Sequence, residues 1–232
     1  MCIAQMFSLL EILATVLSAV ISYIIGGVNA SIIVTKIFDH GRDIRESGSG
    51  NAGFTNVLRT KGKKLAVITF IIDFAKGVVA IALTHFVMKY CCGTIENSVQ
   101  FKFAEYFSCF CCVLGHVYPC FFKFHGGKAI LTAWSAMLLI DWRVFIWLIS
   151  IFLIVLFIKK IVSLASVIAA VLYPVGVFLS TFFFDFAVSG NIYDILIPVF
   201  FSFLISSLTI YKHRGNINRI LSGKESSISI NK

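Results

Sequence analysis

Seven stretches of this chain are so continuously apolar that water is not their natural solvent: residues 7–37, 65–90, 103–122, 130–140, 144–158, 161–184 and 192–211. A helix needs about 20 largely apolar residues to cross the hydrocarbon core of a bilayer. Inside that core each backbone N–H and C=O must find its partner without help from water, which favours helices over open strands. The expected fold is therefore an all-α integral membrane protein with about seven transmembrane helices. The fourth and fifth stretches are short and meet at Asp141-Trp142-Arg143, as two half-helices or one bent helix, so the expected range is five to seven. Composition agrees: 59% of the 232 residues are apolar or aromatic and 13% charged, against roughly 45–50% and about 25% in soluble domains. The first stretch contains Glu11, has no basic residue before it and lacks a small-residue cleavage site. It reads as a retained span rather than a secretion signal. Residues 1–232 are expected to form a single multi-span domain.

The formal charge is +9, from 20 Lys and Arg against 11 Asp and Glu. Such a surplus suits nucleic acid, anionic lipid or a phosphorylated substrate. Its distribution is the more informative quantity. With seven spans, 16 of the 20 basic residues fall in connections on one side, from Lys36 to Lys232, and the positive-inside rule makes that side cytosolic. The amino terminus is then expected outside and the carboxyl terminus in the cytosol. The three sizeable polar segments, 38–64, 122–129 and 212–232, all land on the cytosolic face. Seven cysteines (Cys2, Cys91, Cys92, Cys109, Cys111, Cys112 and Cys120) include no C-x-x-C pair, so neither a disulfide framework nor a zinc site is indicated.

The first polar segment contains Gly48-Ser49-Gly50-Asn51-Ala52-Gly53-Phe54-Thr55-Asn56, followed by Arg59. Glycines allow the backbone to turn through positive φ and aim N–H groups at an anion, and an arginine fork suits phosphate. The same cluster also reads as a flexible connecting loop. The second segment surrounds Gly115-His116 and Gly126-Gly127-Lys128-Ala129. Glycines and a lysine opening an apolar helix place N–H groups, the positive end of the helix dipole and an ammonium together, although Lys128 alone also reads as a snorkelling helix-end residue. This is not a Walker A loop, which requires G-x-x-x-x-G-K-[ST] after a strand. The third segment holds His213, Arg214, Asn216, Arg219 and Glu225, with His213 and Asn216 three apart and so on one helical face. Closer to the apolar interior lie Asp73 and Lys76, where charge is costly and usually paired or functional. Ser163 and Ser166 follow Lys159-Lys160 and read equally as helix caps or small packing residues.

These segments, in this order, resemble the bacterial PlsY family of membrane glycerol-3-phosphate acyltransferases. The matching blocks are Gly48 to Arg59, Asp73-Phe74-Ala75-Lys76-Gly77, Gly115 to Thr132, Ser163 to Ser166 and His213 to Glu225. The resemblance implies transfer of a fatty acyl group from acyl phosphate to the sn-1 hydroxyl of glycerol 3-phosphate. The products would be lysophosphatidic acid, for phospholipid synthesis, and inorganic phosphate. It implies no cofactor and no metal, and a bacterial plasma membrane with the active site facing the cytosol. The partners are membrane lipid and the two substrates, nucleic acid drops out, and protein partners are not indicated. By the same resemblance His213, Asn216, Lys128 and Ser163 are the catalytic set. Ser49, Arg59, Asn51, Thr55, Asn56, Gly126, Gly127, Lys76, His116 and Glu225 are the substrate-binding set. Consistent with that family, no histidine here is followed by Asp five positions on. Two departures stand out: Gly26-Gly27-Val28-Asn29 where the family commonly has Gly-Ser-x-Pro, and Ala129 where it commonly has glycine. The alternative reading is a small transporter of an anionic solute. Such proteins usually place their polar sites near the midplane, whereas here most informative residues gather on one face.

Overall fold

The protein is described here by a computed structural model covering residues 7–96 and 98–227; Cys2 and Lys232 lie outside them. The described residues contain helices and connecting turns and no strand. In chain order the helices are α1 (Leu9–Gly27), α2 (Ala30–Phe38), α3 (Phe54–Lys61), α4 (Lys63–Phe86), α5 (Val99–Val117), α6 (Ile130–Ile140), α7 (Trp142–Lys159) and α8 (Val162–Ser180). A π-helical stretch (Thr181–Phe186) and a last turn, α9 (Ala187–Ser189), prolong α8. Then come α10 (Tyr193–Lys212) and α11 (Arg214–Leu221).

All seven apolar stretches fold as helix. Five helical runs are long and apolar enough to cross a membrane: Leu9–Phe38, Lys63–Cys91, Trp142–Lys159, Val162–Ser189 and Tyr193–Lys212. The other two fall short for different reasons. The α6 helix has 11 residues, and α5 carries Lys102 and Glu105 among its 19. The chain thus stands at the lower end of the expected range by length and apolarity.

Local chemistry sets the helix boundaries. Ser8 and Glu11 form a reciprocal capping box at the start of α1. Ser98 caps α5, and Asp141 caps α7 by accepting from the Arg143 N–H. With Asp141 extended at φ −154°, α6 and α7 are two separate helices and not one bent one. The long first stretch breaks at Val28-Asn29. There the Asn29 side chain caps α2 by accepting from the Ile32 N–H.

Burial runs opposite to that of a water-soluble protein. On α1 the buried positions are Ala14, Thr15, Ser18, Ala19, Ser22, Gly26 and Gly27, while Leu9, Leu13, Val16, Leu17 and Val20 are exposed. Small residues let helices approach when lipid solvates the large ones. A Cβ at Gly26 would overlap the Cys112 carbonyl, and one at Gly115 the Tyr23 carbonyl, so α1 and α5 touch backbone to backbone.

Contacts divide the chain into two compact units, meeting at Ile140 and Asp141. In the first, α1 packs along α5, and α4 lies against α1, α2, α3, α5 and α6. In the second, α8 packs against both α7 and α10, with α11 against α8.

Candidate active site

In the first unit the glycine-rich segment is an ordered loop. Gly48 and Gly50 adopt positive φ (57° and 70°), as expected, whereas Gly53 is extended at −168°. The loop is organised from within by Asn56, which is buried. Its amide donates to the carbonyls of Ile44, Ser47 and Asn51 at 3.2, 2.9 and 3.1 Å, and its Oδ1 accepts from the Ser49 N–H at 3.0 Å. Asn56, expected among the substrate contacts, has its polar atoms holding the loop's backbone together. The N–H groups of Ser49, Gly50 and Gly53 are likewise occupied inside the loop. What the loop presents outward is the amino end of α3. No side chain caps it at Gly53, and Thr55 sits in its first turn. Arg59 lies exposed in the last turn of the same helix, and Ser49 is exposed on the loop.

The second polar segment is pinned onto this loop by Arg45, a residue that sequence reasoning passed over. Arg45 binds Asp43 through Nε and Nη2 at 3.0 and 2.7 Å, and its Nη1 donates to the carbonyls of Phe122 and His125 at 3.0 and 3.1 Å. The Arg45 guanidinium, more than the burial that opposes it, holds the Asp43 carboxyl below its ordinary range. A lone Asp-x-Arg in a basic loop carries no signal; only the fold shows where its fork reaches.

Gly126 and Gly127 do not act as expected either. Their N–H groups donate to the carbonyls of Val117 and His116, both at 3.1 Å, so they are not available to a phosphate. They are glycines because no side chain fits. A Cβ on Gly127 would overlap both the Ala52 carbonyl and the His116 imidazole, and one on Gly126 the His116 carbonyl. Lys128 follows, half-buried, ahead of α6.

Ala129, where the family commonly has glycine, adopts φ +59° and is buried. That left-handed conformation costs an L-residue roughly 1–2 kcal/mol, offset by about 0.8 kcal/mol for burying the methyl. Ala129→Gly is expected to raise Tm slightly, by up to about 2–4 °C, in a thermal unfolding measurement in detergent. A fall would show that the methyl contact outweighs the backbone strain.

Lys76 and His116 are both buried, away from any exposed face. The Lys76 ammonium lies 2.8 Å from Asp73 Oδ1 and 2.6 Å from His116 Nδ1. The two residues, expected in the substrate-binding set, belong to an interior network.

In the second unit, Glu225 is the organiser. Its Oε1 accepts from Ser163 Oγ and Asn216 Nδ2, each at 2.8 Å, and its Oε2 from Arg219 Nε at 2.6 Å. Burial pushes the Glu225 carboxyl up, but these three hydrogen bonds and the Arg219 charge outweigh it and hold the group below its ordinary range. Ser163 is thus no helix cap, since the N-cap position of α8 is Ile161, which makes no side-chain cap. Glu225, expected among the substrate-binding residues, instead has its carboxylate committed to its neighbours. His213 and Asn216 are both buried at the turn joining α10 to α11. His213 Nδ1 donates to the Thr209 carbonyl at 2.8 Å, which fixes that nitrogen as the one bearing hydrogen and leaves Nε2 as the basic one. Arg214 stacks on the Tyr211 ring at 4.4 Å.

Comparison with known proteins places these features in context. A family model described as "Glycerol-3-phosphate acyltransferase" matches residues 16–223. A glycerol-3-phosphate acyltransferase of Clostridioides difficile (strain 630) is 34% identical over 219 residues, 94% of this chain and 98% of the relative. One of Prochlorococcus marinus (strain MIT 9515) is 36% identical over 219 residues, 94% of this chain and 100% of its own. Among solved structures, PlsY (YgiH), an integral membrane glycerol 3-phosphate acyltransferase, superposes in its glycerol 3-phosphate form with a TM-score of 0.74 at 31% identity, covering 93% of this chain and 96% of that one. Its lysophosphatidic acid form gives a TM-score of 0.71 at 30% identity, covering 93% and 95%.

Proposed function

Because the chain belongs to the glycerol-3-phosphate acyltransferase family, a group of PlsY-like multi-pass membrane proteins, we propose that its acyl donor is an acyl phosphate and its acceptor the sn-1 hydroxyl of glycerol 3-phosphate. The products are lysophosphatidic acid and inorganic phosphate. The observation that carries this reading is the convergence of Ser163 and Asn216, distant in sequence, on a single oxygen beside His213 at the α10–α11 turn. With the Ser163 proton donated to Glu225, the hydroxyl's lone pairs are oriented to accept from a glycerol hydroxyl.

The chemistry needs little more than placement. An acyl phosphate is a mixed anhydride, already activated, so positioning and charge neutralisation carry the catalysis. The acceptor hydroxyl oxygen forms a bond to the acyl carbon while the bond from that carbon to the phosphate oxygen breaks. His213 Nε2 takes the hydroxyl proton and returns it to the departing phosphate. Within the first unit, Arg59, Lys128, Ser49, Asn51 and the N terminus of α3 at Thr55 offer positive charge and hydrogen-bond donors of the kind that suit phosphate. Each buried methylene is worth about 0.8 kcal/mol, so a long-chain donor partitions into the bilayer. Its phosphate then sits at the interface. If α5 and α6 cross as well, seven crossings put the termini on opposite sides and all three basic segments on one, and the positive-inside rule makes that side the cytosol of a bacterial cell, at its plasma membrane.

The test is phosphate release by purified protein in detergent with palmitoyl phosphate and glycerol 3-phosphate. Activity with acyl-CoA alone, or with neither donor, overturns the proposal. In the same assay His213→Gln is expected to reduce kcat by about 100-fold or more and to abolish the acidic limb of the pH profile. Normal turnover with an unchanged profile would move the proton to a substrate phosphate oxygen.

A further inference from the structure

We propose that the buried Asp73, Lys76 and His116 are positioning residues for the reaction, acting from one ammonium group through two chains of contacts that both end on Gly127, and that His116 is thereby held as the Nε2–H tautomer. The proposal rests on the reading above for its kinetic part and on geometry alone for the tautomer.

A lysine ammonium has three N–H donors and no acceptor. Lys76 uses one for the Gly26 carbonyl at 3.2 Å, one for the Val28 carbonyl at 3.3 Å and one for His116 Nδ1 at 2.6 Å. Asp73 Oδ1, at 2.8 Å, supplies the countercharge as an ion pair, off the line that a hydrogen bond requires. The set is sealed from solvent, with Asp73 at 2%, Lys76 at 5% and His116 at 4% exposure. Since every Lys76 proton has an acceptor, and one of those acceptors is Nδ1, the His116 ring proton resides on Nε2. A second proton on Nδ1 would point into the ammonium and place two cations against one carboxylate. Asp73 stands 3.8 Å from Nδ1, too far to take over. The Thr132 hydroxyl, at 3.4 Å, is a donor compatible with an accepting Nδ1.

The first chain of contacts runs through His116. Its carbonyl accepts the Gly127 N–H, and its ring Nε2 faces the Gly127 α-carbon so closely that a Cβ there would overlap it. The second runs through the break between α1 and α2. Gly26 and Val28 are the last carbonyls of α1, where the negative end of the helix dipole favours a cation. Asn29 comes next, and its amide reaches the Ala52 carbonyl at 3.5 Å. The Ala52 oxygen, with His116 Nε2, crowds the same Cβ position of Gly127. One interior cation therefore ties the glycine-rich loop ending at Gly53 to the segment carrying Lys128. Nothing in this arrangement requires Lys76 to touch substrate.

Nitrogen NMR on protein labelled with ¹⁵N-histidine tests the tautomer directly at pH 7, with His116→Gln identifying the resonance pair. Expected is one pyridine-type nitrogen assigned to Nδ1 and one protonated, pyrrole-type nitrogen assigned to Nε2. Two protonated nitrogens, or the proton on Nδ1, overturn the proposal, whether or not the protein uses acyl phosphate. The kinetic test compares Lys76→Met, His116→Gln and the double variant. Each single change is expected to raise the KM for acyl phosphate by about 10-fold or more, and the double variant to be little worse than the more severe single one. Additive effects, or an unchanged KM, would refute the positioning role while leaving the acyltransferase reading intact. If the variants do not fold, the His116 pair is identified by elimination, from single Gln variants of His40, His85, His125 and His213, and the NMR result still decides.

Discussion

Gly127→Ala is expected to lower acyltransferase kcat/KM by about 100-fold while the protein remains folded in detergent. The added methyl would overlap two groups that cannot both retreat: the Ala52 carbonyl, which is backbone, and the His116 ring, which is locked by Lys76. The loop must shift, and with it Lys128, the next residue. Misplacement by roughly 1 Å is enough for a loss of that size. The check is a full kinetic comparison with circular dichroism and size-exclusion profiles run alongside. Wild-type kinetics in a folded variant would mean that Lys128 is positioned by something other than the Gly127 contacts.

Glu225→Ala is expected to be comparably damaging, through stability as well as turnover. It strips the shared acceptor from Ser163 and Asn216, leaving two buried donors at a cost of about 1–3 kcal/mol each if no water replaces it, and it releases Arg219. The pH dependence has a definite sign. The folded-state carboxyl is held below its ordinary value, because the hydrogen bonds outweigh burial. Its stabilisation is therefore complete above the unfolded carboxyl pKa of about 4.3 and is lost as pH falls through the lower folded value. The gap in Tm between wild type and Glu225→Ala should be widest at neutral pH and narrow below about pH 4. A gap independent of pH would show that the charge of Glu225 is not what holds α11 to α8.

The helices were legible in the sequence because apolar run length is a local property. So was the family, since its blocks are short and ordered along the chain. The two departures from the family pattern were visible as well, but their meaning was not. Asn29, at the position of the usual proline, caps α2, and Ala129 occupies a left-handed position that explains the usual glycine. The roles of single polar residues were less legible. Asn56 looked like a substrate contact and proves to be the brace of its own loop. Arg45 looked like one more basic residue and proves to join two loops across 77 and 80 positions of sequence.

By itself the sequence determined that this chain lives in a membrane as helices, that it carries three basic polar segments, and which family it belongs to. Only the tertiary structure decided which of the candidate groups are already hydrogen-bonded within the protein. A donor is available or occupied according to what stands within about 3 Å of it. For Lys76 that partner lies 40 residues away, and for Ser163 it lies 62 away. Hydrogen-bond capacity is set by residue type and can be read along the chain; its use is set by packing and cannot.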